Sequence, residues 1–157
     1  MFVGNLLLAL AWAELQASVT LANLFVGYVL GYLILLLLVR GGVLRESRYV
    51  GKVSMAVGLA AFFLRELVMA NLRLARDVVA VRQNVRPGII AVPLDATSDS
   101  EILLLTALIN LTPGSVALDV SPDRKLLYVH AMYVDTADAA RAEIKHGYER
   151  RVLLLLR

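Results

Sequence analysis

Apolar residues are unevenly distributed along this chain: they run almost unbroken through the first forty positions and then give way to charged, periodic segments. From Leu21 to Val39 the sequence LANLFVGYVLGYLILLLLV carries no charge, and about twenty such residues coiled as a helix cross roughly 30 Å of hydrocarbon. A helix is required because lipid cannot satisfy open backbone groups. Ahead of it, Phe2 to Leu15 is equally apolar but short for a span, with Trp12 near its end suited to an interfacial anchor. The linker Gln16 to Thr20 is brief, so the two segments are expected to form a tight antiparallel hairpin within residues 1–40. A cleaved signal peptide is the rival reading. No Lys or Arg precedes the apolar run and a second long span follows at once, and both features count against cleavage.

Residues 41–86 read as a basic linker followed by an amphipathic helix. Arg40, Arg45, Arg48 and Lys52 crowd the linker with only Glu46 opposing them, which by the positive-inside rule puts it, and the N-terminus with it, in the cytoplasm. Between Val53 and Val79 the pattern is apolar early and amphipathic late. Leu64, Leu67, Val68, Leu72 and Ala75 recur at helical spacing. Basic residues flank both ends, which suits a helix lying in the membrane interface with its apolar face down. A third crossing is the alternative, kept open by the apolar run Ala56 to Leu64. Arg65, Arg73, Arg76, Arg82 and Arg86 form the corresponding basic surface, fitted to anionic lipid head groups. Nucleic acid is not expected as a partner, since the neighbouring spans already supply a reason for the charge.

After Pro87 the periodicity changes again, and residues 87–157 read as a small cytoplasmic α+β domain. GIIAVPLD, Gly88 to Asp95, is a short strand in which Pro93 calls for an edge or a strand end. Ser98 and Glu101 form a capping box ahead of ILLLTALINL, and Thr112-Pro113-Gly114 stops that helix. SVALDVS, Ser115 to Ser121, alternates as a half-buried strand should. Pro122-Asp123 turns the chain into KLLYVHAMYV, Lys125 to Val134, and the two strands form a hairpin. Asp135 opens a last helix, Thr136 to about Leu156. The order is β-α-β-β-α, with both helices expected on one face of the sheet.

Composition sharpens this picture. The 157 residues are 59% hydrophobic with a net charge of +3 and no cysteine, which rules out disulfides and thiolate chemistry. The mean hydropathy is +0.72, above that of an ordinary soluble domain. His130 and His146 have no zinc-ligand spacing, and no Walker, dinucleotide-binding or nucleophile-elbow motif occurs. No cofactor, metal or catalytic residue is expected. Asp95, Asp99, Asp119 and Asp123 sit at strand ends, caps and turns, where structural use accounts for them. Gly27 and Gly31 form a small-xxx-small pair in the second span, predicting a close helix contact rather than a specific homodimer. Glu14, the only acid before Arg40, reads as an interfacial carboxylate, with an ion-path role as its alternative.

Several stretches carry a resemblance: FVGYVLGYLILLLL, RELVMANLRLARDVV and, above all, RPGIIAVPLDATSDSEILLLTALINLTPGSVALDVSPDRKLLYVHAMYV. The run LTPGS, then DVS-x-DRK, then LYVH is the most specific, and with it the sequence resembles the E subunits of the Mrp/Mnh-type multisubunit Na+/H+ antiporters (the MrpE/MnhE family) over essentially its whole length. The motif residues are Pro113, Gly114, Asp119, Asp123, Tyr128 and His130. The resemblance implies a small accessory, non-enzymatic member of a hetero-oligomeric complex in the cell membrane, with other subunits carrying the ion paths and with lipids and those subunits as partners. A membrane-anchored module that recruits a soluble partner through the C-terminal domain is the competing function.

Overall fold

The computed structural model describes residues 1–44, 48–80 and 85–157, so Arg45 and Arg82 lie outside the described residues. The chain forms two compact units, Met1–Ser54 and Met55–Arg157.

The first unit is helical. Helix α1 spans Phe2–Leu15 and α2 spans Leu21–Arg40. Thr20 caps α2 by accepting from the Asn23 amide at 3.2 Å, which meets one of the four orphan N–H groups of a helix start. In the turn before it, Ala17 takes a positive φ of 49°. At about 1.5 Å per residue, α2 matches the hydrocarbon thickness and the fourteen residues of α1 fall short of it. The first turns of α3, Arg48–Val79, also belong to this unit. That helix begins five residues before the apolar pattern does, because Arg48 to Lys52 extend it without adding to the pattern.

The second unit contains the rest of α3 and an α+β domain. Its elements are β1 (Gly88–Pro93), α4 (Asp99–Leu111), β2 (Ser115–Val120), β3 (Leu126–Ala131), α5 (Ala137–Ala142), a π-helical segment (Glu143–Glu149) and α6 (Arg150–Leu156). The sheet order is β1-β3-β2 with both pairings antiparallel. Strands β1 and β2 therefore run parallel with β3 between them, a split β-α-β arrangement. Pro93 closes β1, an edge strand, where its missing N–H breaks no ladder bond. Ser98 and Glu101 form the reciprocal capping box of α4. Alternation puts Ile90, Val92, Leu127 and Val129 on the buried face, where Leu105 and Ile109 of α4 and Ile144, Tyr148 and Val152 of the last helix join them. Leu59 of α3 is buried in this core, and Phe62 and Phe63 pack against it.

Two regular expectations meet local departures. The alternation expected through Ser115 to Ser121 breaks at a β-bulge between Ala117 and Asp119. Leu118 and Asp119 both face outward, and Val120 returns to the core. The inserted residue resets the period-2 phase. The last helix is continuous but widens to a π-helix over seven residues. That segment ends on Tyr148 and Glu149, consecutive residues that are both buried, so an acid turns inward beside an aromatic ring.

Candidate functional site

In the hairpin, small residues bring two backbones together. A Cβ on Gly27 would lie 2.8 Å from the Ala9 carbonyl oxygen and from the Trp12 Cβ, and one on Gly31 would lie 2.3 Å from Asn5 Oδ1. Asn5 is fully buried. Its Nδ2 donates to the Tyr49 hydroxyl at 2.8 Å, which donates to the Tyr28 hydroxyl at 2.6 Å. Tyr32 donates to the Val50 carbonyl at 3.3 Å, and the rings of Phe2 and Tyr32 meet Tyr49 edge to face. Among the described residues Asn5 Oδ1 has no hydrogen-bond donor. It lies against Gly31, within the space that a Cβ there would take. The outward residues Phe25, Leu37, Val3 and Leu7 are all more than 60% exposed, as suits lipid rather than water. Glu14 is exposed at the far end of α1.

Along α3 the two faces differ. Val57, Leu64, Val68, Leu72 and Val79 line one face and are each at least 55% exposed, while Leu59, Phe62 and Phe63 on the opposite face meet the domain core. Of the basic residues, Arg65 pairs with its neighbour Glu66 at 2.8 Å. Arg73 lies 5.2 Å above the Tyr133 ring, Tyr133 donates its hydroxyl proton to Asp77, and that bond holds the phenol above its usual pKa. Arg76 is exposed. Arg86 joins the domain through its backbone, its N–H donating to the Met132 carbonyl at 3.0 Å. Of these four arginines among the described residues, Arg65 is paired locally with Glu66 and Arg73 stacks on the Tyr133 ring on the domain side.

The motif residues divide in the same way. Gly114 takes φ +91° at the stop of α4, with Pro113 beside it on the wall of a cavity of about 90 Å³ that also meets Glu66, Arg73, Glu143 and Tyr148. Burial raises the Tyr148 pKa, against the hydrogen bond it shares with Thr112. Asp119 accepts from the Val120 amide at the bulge, and Asp123 accepts from Ser121 Oγ at 2.5 Å and the Lys125 amide at 3.2 Å. Both are turn-forming uses. Tyr128 and His130 project from the sheet face opposite the core, where Ile89, Val116 and Leu118 are about half exposed or more.

Sequence reasoning missed the polar clamp that closes the domain. Glu149 is buried and accepts from the amides of Asp95 and Ala96 at 2.6 and 2.9 Å. Lys145 reaches its other oxygen at 2.8 Å and Asp95 at 2.6 Å. Burial works against the Lys145 ammonium, and the two carboxylates more than offset it, holding its pKa above the ordinary value. Glu101 accepts from the Thr97 and Ser98 amides and from Arg157 at 2.9 Å. Arg157, with those amides, lowers its carboxyl to about 2. The sheet edges are blunted as well. Arg141 and Lys145 donate to the β1 carbonyls of Ala91 and Pro93, and Asn110 accepts the Ala117 amide of β2, an arrangement that disfavours strand addition. Among the described residues no three His, Cys, Asp or Glu side chains converge as a metal site.

An apolar helical hairpin joined to a small α+β domain, with its polar groups spent on clamps and turns, defines an anchored membrane component. The family model described as "Na+/H+ ion antiporter subunit" matches residues 5–154. The Na+/H+ antiporter E subunit of Alkalihalophilus pseudofirmus is 36% identical over 149 residues, which cover 95% of this chain and 93% of that one. The corresponding E subunit of Bacillus subtilis is 36% identical over 94% of this chain and 92% of its own. A chain of the Mrp complex from Dietzia sp. superposes with a TM-score of 0.51 at 27% identity, covering 65% of this chain and 94% of that chain. A chain of an archaeal membrane-bound sulfane sulfur reductase shares the fold over 98% of this chain, with a TM-score of 0.53 at 22% identity. The chain belongs to the family of Na+/H+ antiporter E subunits.

Proposed function

We propose that this chain is an accessory, non-catalytic subunit of a multisubunit monovalent cation/proton antiporter in the cell membrane, needed for assembly and activity of the complex. The observation that carries this reading is the content of the hairpin. Glu14 is the sole Asp, Glu, Lys, Arg or His before Arg40, and it is exposed at a helix end, whereas an ion path through a membrane needs buried polar or ionisable groups along its length. The ions therefore move through other subunits. The half-exposed sheet face around Ile89, Val116 and Leu118 offers those subunits an apolar surface.

In this reading α2 crosses the membrane, the shorter α1, extended by the turn to Ala17 or Ser18, crosses a locally thinned region beside it, and α3 lies along the cytoplasmic surface. By length and composition α3 could itself cross. Against a crossing stands the packing of Leu59, Phe62 and Phe63 against the α+β core: immersing that stretch would draw an open three-stranded sheet into hydrocarbon, where unpaired edge groups are not tolerated. The outward stripe Val57 to Val79 suits an apolar face laid on the interface.

Affinity purification of the full chain from gently solubilised native membranes, with mass spectrometry of what is retained, tests the assembly role. Recovery of the large antiporter subunits at near-equal stoichiometry is expected. Recovery of the chain alone, or with soluble proteins only, would favour a recruiting module. The chain lacks cysteine, so single cysteines at Ala17 and Ser100 test the topology with a membrane-impermeant maleimide on intact cells. Labelling at position 17 and protection at position 100 are expected; labelling at position 100 would mean a third crossing.

A further inference from the structure

A groove of about 590 Å³ opens in the second unit between α3 and the last helix, within the size range of small-molecule sites. Met55, Leu153 and Leu154 line its apolar part, and Met55 and Leu154 are 41% and 52% exposed. Its rim is cationic. Two of the rim cations are already committed, Lys145 to Asp95 and Glu149 and Arg157 to Glu101. Arg150 and His146 also line it, and among the described residues neither side chain has an ion-pair or hydrogen-bond partner. Among the described residues an uncommitted guanidinium and imidazole thus stand beside a part-exposed apolar floor.

We infer that this groove holds one anionic phospholipid, its phosphate on Arg150 and His146 and the upper part of an acyl chain over Met55, Leu153 and Leu154. The two halves of the site each exclude a simpler occupant. A water-soluble anion would satisfy Arg150 and leave Leu154 and Met55 in water, where exposed apolar area costs about 25 cal/mol per Å². A neutral apolar segment of another subunit would cover the floor and leave Arg150 desolvated without a counter-charge, which is unfavourable. An anionic amphiphile answers both. The inference deepens the proposal above, because α3 lying on the membrane surface brings a groove flanked by that helix level with the head groups.

The test is native mass spectrometry of the full chain in detergent micelles titrated with phosphatidylglycerol. One bound phosphatidylglycerol is expected, with phosphatidylcholine weaker by about tenfold, the scale of one or two basic contacts to an anionic head group. Arg150→Gln and Leu154→Asp should each weaken binding to a similar degree while far-UV circular dichroism stays unchanged. Lys125→Glu, on the exposed turn between β2 and β3, should leave it intact. Equal binding by Arg150→Gln would overturn the site. So would competition by glycerol phosphate at the same concentration as the lipid, or a photo-crosslinker at position 154 that captures another subunit in the purified complex. Binding in micelles does not depend on how α3 sits in a bilayer. Arg150-dependent binding together with cysteine labelling at position 100 would therefore keep the site and discard the interfacial placement.

Discussion

The hairpin buries Asn5, Ala9, Ala13, Gly27 and Gly31 and turns Phe25, Leu7 and Leu37 outward, while the α+β unit buries Leu105, Ile109, Leu127 and Val129 and turns most of its charges outward. The same aliphatic residues occupy opposite positions because the two units face different solvents. In lipid, large apolar side chains gain nothing by leaving the surrounding phase, so helices associate through close backbone approach and buried hydrogen bonds. In water, burying Leu and Val is the main driving force. One consequence is that truncating a large residue should hurt the second unit most, and enlarging a small one should hurt the first.

The largest expected effect is at Leu127→Ala. Leu127 is wholly buried on the central strand, and such truncations cost about 2–5 kcal/mol. Thermal unfolding of the full chain in mild detergent, followed by circular dichroism, should show a lowered transition. Trp12, the single tryptophan of the chain, should keep its emission maximum because it reports the hairpin alone. An unchanged transition would mean that the β3 core does not limit the stability of the domain.

The complementary change is Gly31→Leu. A Cβ there already meets Asn5 Oδ1 at 2.3 Å and the Leu8 Cβ at 3.0 Å, so the helices must separate and the Asn5–Tyr49–Tyr28 chain must adjust. Overpacking of this kind costs about 1–3 kcal/mol. Trp12 emission should shift and the yield of assembled complex should fall, with the domain transition unmoved. Wild-type emission and yield would show that the close approach is dispensable.

Gly114→Ala should cost less and act only in the second unit. A Cβ at Gly114 would have its nearest neighbour, Tyr133 Cε2, at 3.5 Å, an ordinary contact, so the penalty comes from φ +91° alone and amounts to about 1–2 kcal/mol. A drop in the domain transition smaller than that of Leu127→Ala is expected. A drop as large would point to a contact that the Cβ geometry does not contain.

These sites differ in how readable they were. Local rules located the hairpin, the capping box at Ser98 and Glu101, the β2–β3 pair and the glycine at the end of α4, because each depends on residues a few positions apart. The clamp was not readable. Glu149 meets amides 53 and 54 residues away, and nothing near it in the sequence marks it as buried. The π-helical turn that brings it inward and the bulge at Leu118 are both one-residue phase shifts, which a fixed period cannot anticipate. The two faces of α3 were half legible. The outward apolar stripe follows from helical spacing, but Phe62 and Phe63 were counted with the apolar run rather than with the domain core they join.

The smallest effect at neutral pH, and the one most specific in its pH dependence, belongs to Glu101. Its carboxylate is held by Arg157 and by the amides of Thr97 and Ser98, with a pKa lowered from 4.5 to about 2. A depressed acid stabilises the fold wherever the unfolded carboxyl would also be ionised, and this contribution is lost as protons reach the folded one. The stabilisation is therefore complete above pH ~4.5 and declines as pH falls toward about 2. Glu101→Gln keeps an acceptor for the amides and removes the charge that Arg157 meets. At pH 7 the variant should melt slightly below the wild type, and the difference should shrink between pH 4.5 and 2. Trp12 emission should not register the change, since the hairpin has no acid among its buried residues. A gap that stays constant through that window would mean Glu101 acts through its shape as a helix cap, leaving no role for the charge that ties the chain end to α4.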